Sequence, residues 1–179
     1  MNLTPVRQVT ILSILFLALT LSATNPKALA SETEKSNRCS GISLEGGATL
    51  LALSITDLQQ SSSDLPVSPD DLKKNIYTRP PYSCSIRSKS NFLKGITYVT
   101  YVYNAPGDAR LEFSKMKKGF ASTSTVEGIA DIGDEAFWAG ASRFQRLVAV
   151  KENVVIDVLS PKDFDLQKQI IGLVLEKFY

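Results

Sequence analysis

Hydrophobic residues recur along the chain with two different periods, and the changes of period divide it into elements. From Leu44 to Gln60, the residues Leu44, Ala48, Leu51, Ile55 and Leu58 fall at alternating steps of four and three, the spacing of one apolar helical stripe. Gly46 and Gly47 weaken its first turn. The stretch 61–81 is polar and carries Pro66, Pro69, Pro80 and Pro81, which predicts a long loop. Within it "SPDDLKKNI" has the opening of a short helix: Ser68 as N-cap, Pro69 first, Asp71 in the first turn. The period then switches to two. "YSCSIRS" alternates Tyr82, Cys84 and Ile86 against Ser83, Ser85 and Arg87, and "ITYVTYVY" (Ile96 to Tyr103) is β-branched and aromatic, so the pair predicts a hairpin turning at 91–95. "PGDARLEFSKMKKGF" returns to the helical period through Ala109, Phe113, Met116 and Phe120, with lysines in its last turn and Gly119 as a stop. "STSTVEG" reads as a linker. "EAFWAG" (135–140) enters a strand, and after Gly140 "FQRLVAV" and "VVIDVL" flank the turn "KEN" as two more. The final helix has Ser160 as cap, Pro161 first and Asp163 in the first turn, with Leu166, Ile170, Val174 and Phe178 on one face beside Ile171 and Leu175. About five strands in hairpins and three main helices predict an α+β domain: an antiparallel sheet packed with helices, in two ββα-like halves.

The chain's beginning has a different character. One positive charge, Arg7, precedes the apolar run "VTILSILFLALTLSA". Asn25 and Pro26 then break any helix, and "ALA" at Ala28–Ala30 supplies small residues. This predicts a signal peptide over 1–30, cut between Ala30 and Ser31. The run is shorter than the roughly 20 residues a membrane-crossing helix needs, so no transmembrane segment is expected after cleavage. A flexible leader over 31–41 and one domain over 42–179 would remain, in the periplasm or outside the cell. Cleavage takes Arg7 and Lys27 from the 20 basic residues and leaves 18 against 18 acidic ones. A neutral exported chain has no electrostatic footprint for nucleic acid. Outside the cytoplasm the cysteine pair, Cys39 and Cys84, is expected to form a disulfide. Cys84 shares a strand face with Tyr82 and Ile86, where the first helix can reach it.

Most catalytic templates fail on inspection. The chain has no His, which removes an imidazole base. "SKMK" at 114–117 matches Ser-x-x-Lys without its partner motifs. The densest carboxylate cluster lies in "GIADIGDEAFWAG" (128–140), where Asp131, Asp134 and Glu135 crowd beside the sole tryptophan, Trp138. They do not follow the alternate-position register of a calcium loop, and no zinc donor is near. A turn explains them better: Ile129 and Ile132 anchor it on either side of Asp131, Gly133 permits a tight or left-handed bend, and Asp134 is suited to cap backbone amides within it. No catalytic, metal or cofactor residue is assigned.

That same segment, followed by a strand, a charged turn, a second strand and an amphipathic helix, resembles secreted and lipid-anchored bacterial domains of unknown function that carry a "GlGDxAxw" signature. These are similar in turn to the extracellular sensor domain of the mycobacterial kinase PknH. The likeness extends to a cysteine ahead of a helix, here Cys39, and a second in a strand reading "YSCSI". Only Gly133-Asp134-x-Ala136 is distinctive, and the chain lacks the lipobox of the lipoprotein members. The resemblance implies an antiparallel sheet with helices, sometimes with a concave face able to hold a ligand, and brings no catalytic residues.

The expected function is therefore non-enzymatic: binding of a small molecule, lipid or peptide in the cell envelope, on a surface around Tyr101, Tyr103, Phe137 and Trp138. Aromatics offer apolar area with a polar handle. The rival expectations are an envelope protein-interaction or assembly factor, and a hydrolase using Asp131, Asp134 or Glu135.

Overall fold

The two periods resolve into a sheet flanked by helices in the computed structural model, which describes residues 39, 41–91, 93–141, 144–161 and 163–179. The expected signal peptide, its cleavage site and most of the leader lie outside the described residues. In chain order the elements are α1 (Leu44–Leu51), a 3-10 turn (Ile55–Asp57), β1 (Leu58–Asp64), α2 (Pro69–Lys74), β2 (Tyr77–Ser88), β3 (Gly95–Tyr103), α3 (Pro106–Ala121), β4 (Thr125–Ile129), β5 (Glu135–Ala141), β6 (Phe144–Lys151), β7 (Val154–Pro161) and α4 (Phe164–Leu175). The strands form one antiparallel sheet in the order β1-β2-β3-β7-β6-β5-β4. Seven strands and four α-helices among the described residues replace the five and three expected.

The two extra strands come from segments read as helix, loop or linker. Helix α1 ends at Ala52, which is left-handed at φ 50°. The chain beyond it turns into β1, so Leu58 continues the helical spacing only by coincidence. Polar "LQQSSSD" is a strand because β2 offers it a full ladder, Leu58 opposite Ser88 through Asp64 opposite Tyr82. The predicted 61–81 loop is thereby reduced to short connections around α2. Helix α2 itself opens as predicted, with Ser68 Oγ accepting the Asp71 amide at 3.1 Å. Pro80 and Pro81 lie within β2, and the ladder to β3 shifts register on either side of Arg79, which is where a strand tolerates missing donors. β4 takes up most of the supposed linker. Two helix ends also differ: α3 runs past Gly119 to Ala121, and β7 runs through Ser160 and Pro161. Asp163 instead caps α4, accepting the Leu166 amide at 2.9 Å.

The ββα echo is present as β2–β3–α3 and β6–β7–α4. The two units meet at the sheet's centre, where β3 pairs with β7 and Tyr98 faces Val158. Their helices cover opposite faces. On one side α1 and α4 bury Ile86, Tyr98, Leu147, Ile156, Ile170 and Ile171. On the other α3 brings Ala109 and Phe113 onto Tyr103, Phe137, Val148 and Val155. The predicted stripes of α3 and α4 supply these contacts, and each large side chain so buried contributes about 1.5–3 kcal/mol.

Candidate functional site

Strand parity decides which residues share the α4 face of the last three strands. Glu127 of β4 lies opposite Trp138 of β5, which lies opposite Leu147 of β6; Ile129 lies opposite Ala136; Gly140 lies opposite Gln145. Successive strand residues point to opposite faces, so Glu127, Ile129, Trp138 and Gln145 project together. Helix α4 packs on β6 and β7, and its first residue, Phe164, forms a wall above these four side chains. The result is an open groove of about 470 Å3 lined by Glu127, Ile129, Trp138, Gln145 and Phe164. Gly140 shapes its floor: a Cβ there would stand 2.9 Å from the Trp138 ring and 3.0 Å from Gln145 Cγ. Any larger residue would force the indole off the strand. Behind Gln145, the fully buried Gln167 donates from Nε2 to the Gln145 carbonyl at 2.8 Å, fixing the inner end of the wall.

Of the four aromatic residues expected to form a ligand surface, only Trp138 lines this groove. Phe137 and Tyr103 are fully buried, at 0 % exposure each, on the opposite face. Phe137 sits between Phe113 and Phe120, with ring centroids 5.1 and 5.9 Å away. Tyr103 packs against Tyr77 at 4.9 Å and Tyr101 at 6.4 Å. The reason is parity: Phe137 and Trp138 are neighbours in sequence and so cannot share a face, and α3 covers the one Phe137 occupies. Burial raises the Tyr103 hydroxyl pKa well above its ordinary value, and burial with the nearby Asp157 carboxylate pushes Tyr101 up to about 12. Both phenols stay neutral. The residues missed in the sequence are Glu127, Ile129, Gln145 and Phe164. A period-two reading of "TVEGI" would have placed Glu127 and Ile129 together.

The carboxylate-rich turn lies between β4 and β5. Asp131 and Gly133 are both left-handed, at φ 66° and 61°. The Asp134 amide donates to the Val150 carbonyl at 2.7 Å, and its Oδ2 accepts the Glu152 amide at 2.9 Å. Arg110 of α3 stands 3.5 Å from the same oxygen. Asp134 thus ties its turn to the β6–β7 hairpin, where Glu152 is itself left-handed at φ 48°. Glu135 opens β5, paired with Val150. Among the described residues no group of three His, Cys, Asp or Glu side chains is placed to hold a metal. Cys39 and Cys84 form a disulfide with Cα atoms 5.5 Å apart.

One ion pair lies on the α3 face. Arg146 Nη1 donates to Asp157 Oδ2 at 2.7 Å; the carboxylate side chain is 7 % exposed and the arginine 39 %. The guanidinium also lies 5.3 Å over the Phe120 ring. Burial raises the Asp157 pKa, and Arg146 opposes that rise. Replacing Arg146 with Met is expected to destabilise the protein by about 2–3 kcal/mol at pH 7, discounted for the arginine's partial exposure, because a buried carboxylate loses its partner. The sign follows from linkage. A raised folded pKa means the folded state holds the extra proton, so this deficit is present above that pKa and fades as pH falls through it. Urea unfolding of both proteins at pH 7 and pH 4 checks this; a deficit that grows in acid contradicts it.

No known protein family matches the chain, and no curated protein does. Among solved structures it is similar to the extracellular domain of PknH from Mycobacterium tuberculosis, at 12 % identity over 80 % of this chain and 95 % of that one, with a TM-score of 0.48. It is also similar to a GTP binding regulator from Thermotoga maritima, at 10 % identity over 75 % of this chain and 88 % of that one, with a TM-score of 0.45. At identities this low, no residue role and no partner passes from either protein to this chain.

Proposed function

We propose that the chain is a non-enzymatic binding module of the cell envelope whose ligand seats in the β4–β5–β6 groove. The observation that carries this reading is the chemistry of the lining: Trp138, Ile129 and Phe164 supply an apolar bed, and Glu127 places a carboxylate beside the indole. An apolar body bearing a cationic group satisfies both, since a cation between a carboxylate and a Trp ring gains from each. The Cys39–Cys84 bridge supports an oxidising location outside the cytoplasm. Small molecule, lipid and peptide ligands all fall within this chemistry.

Because Trp138 is the sole tryptophan, its emission reports the groove directly. Dodecylammonium, titrated below its micellar concentration, is expected to shift that emission saturably. Glu127→Gln should weaken the effect, by about tenfold if the carboxylate contact is made, and dodecanol should bind less tightly than the amine. A flat titration, or one indifferent to Glu127, overturns the reading.

A further inference from the structure

The groove lies beside the terminal strand of the sheet, and this narrows the ligand. β4 is last in the strand order, so one of its edges presents backbone donors and acceptors that no described strand pairs. Natural edges are commonly blunted by lysine, proline or a covering element. β4 reads "TVEGI", with neither lysine nor proline, and Thr125, Glu127 and Gly128 are exposed. Glu127, at the strand's centre, is the one charged residue lining the groove among the described residues. A chain laid along this edge would therefore carry its alternate side chains directly into the Trp138–Glu127 site.

Building on the groove reading, we propose that β4 is a strand-addition site for an extended peptide segment, which pairs along Thr125–Ile129 and sets a lysine or arginine side chain over Trp138 and against Glu127. The side chains two residues to either side of that cation fall on the same face, one of them beside Ile129, so that position takes an apolar residue. The intervening side chains point to the other face, where Gly128 has no atom within 4 Å of the position a Cβ would take. Strand addition gains affinity from backbone hydrogen bonds and selectivity from alternate side-chain pockets. A second copy of this chain is a poorer occupant. A two-fold antiparallel β4–β4 pairing centred on the strand would set Glu127 directly against its own copy, and like charges so placed repel. Among the described residues Lys168 lies 5.4 Å over the Phe164 ring, on the helix side. The incoming cation enters from the strand side.

The test uses the acetylated and amidated heptapeptide Thr-Val-Thr-Lys-Thr-Val-Thr, which puts one lysine between two valines on the same face. It is expected to shift Trp138 emission saturably and to slow amide exchange in residues 125–129. Strand pairing uses the amides of alternate residues, so of the two forms N-methylated at alternate positions, one loses binding and the other keeps it. Replacing the peptide's lysine by norleucine, or Glu127→Gln in the protein, should weaken binding about tenfold. If dodecylammonium binds but the peptide does not, or if both N-methylated forms bind as well as the parent, strand addition is overturned while the groove reading stands. If neither probe shifts Trp138 emission, both fall together.

Discussion

Opening the Cys39–Cys84 bridge, by reduction or by paired substitution with alanine, is expected to lower stability by about 4 kcal/mol on loop-closure entropy for the observed sequence separation of 45. For a domain of this size that corresponds to a fall of roughly 8–16 °C in Tm. The geometry explains why so much rests on one bond. Helix α1 has eight residues, too few to be stable alone, and it is held to the sheet by half-buried Leu44, Ala48, Leu50 and Leu51 and by Gly47, whose missing side chain lets the helix backbone approach Ile86. The bridge fixes the chain just before this helix to the middle of β2. Thermal unfolding of oxidised and reduced protein measures the loss, and amide exchange should locate it first in residues 44–64. Equal melting temperatures in the two states would remove the argument.

Gly133→Ala should cost about 3 kcal/mol. Two effects add. A residue with a Cβ pays about 1–2 kcal/mol to remain left-handed, and Gly133 has φ 61°. Its Cβ would also stand 2.5 Å from the Val150 carbonyl oxygen, the atom that accepts the Asp134 amide. Relieving that clash pulls the turn from the β6–β7 hairpin and weakens the Asp134–Glu152 contact, worth about 1 kcal/mol more. Asp131→Gly is the control, because Asp131 is also left-handed and already bears a side chain. There glycine should be neutral or slightly stabilising. Urea midpoints of the three proteins separate these effects; a Gly133→Ala protein within 0.5 kcal/mol of the parent, in the range of an ordinary surface change, contradicts this account of the turn.

What the sequence made legible was each element with a clear apolar pattern. Helices α3 and α4 carry an apolar stripe, β2 alternates, and β3, β6 and β7, covered on both faces, are runs rich in β-branched, aromatic and other apolar residues; all lie close to where those patterns put them. β1 and β4 have neither pattern. A terminal strand with no consistently apolar face owes its shape to the ladder beside it, and no window of sequence contains the partner. The Ser160-Pro161 pair repeats the opening of α2, but Ser160 is buried in β7, so tertiary pairing overrides the local signal. The groove was half visible for a related reason. Trp138 stood out by type, but its face depends on which helix covers which side of the sheet, and that is decided by residues far away in the chain.

The β3–β7 seam has a consequence for how the molecule assembles. β1, β2 and β3 are each other's sequence neighbours, as are β4 through β7, so either group can zip up by short-range steps. Joining the groups requires β3 and β7, whose partners run from Val102 with Val154 to Thr97 with Leu159, to find one another across the chain between them, and such remote encounters set the pace of folding. The bond between Cys39 and Cys84 lies wholly within the first group. It can close before the second group is in place, which leaves the central seam as the slow step.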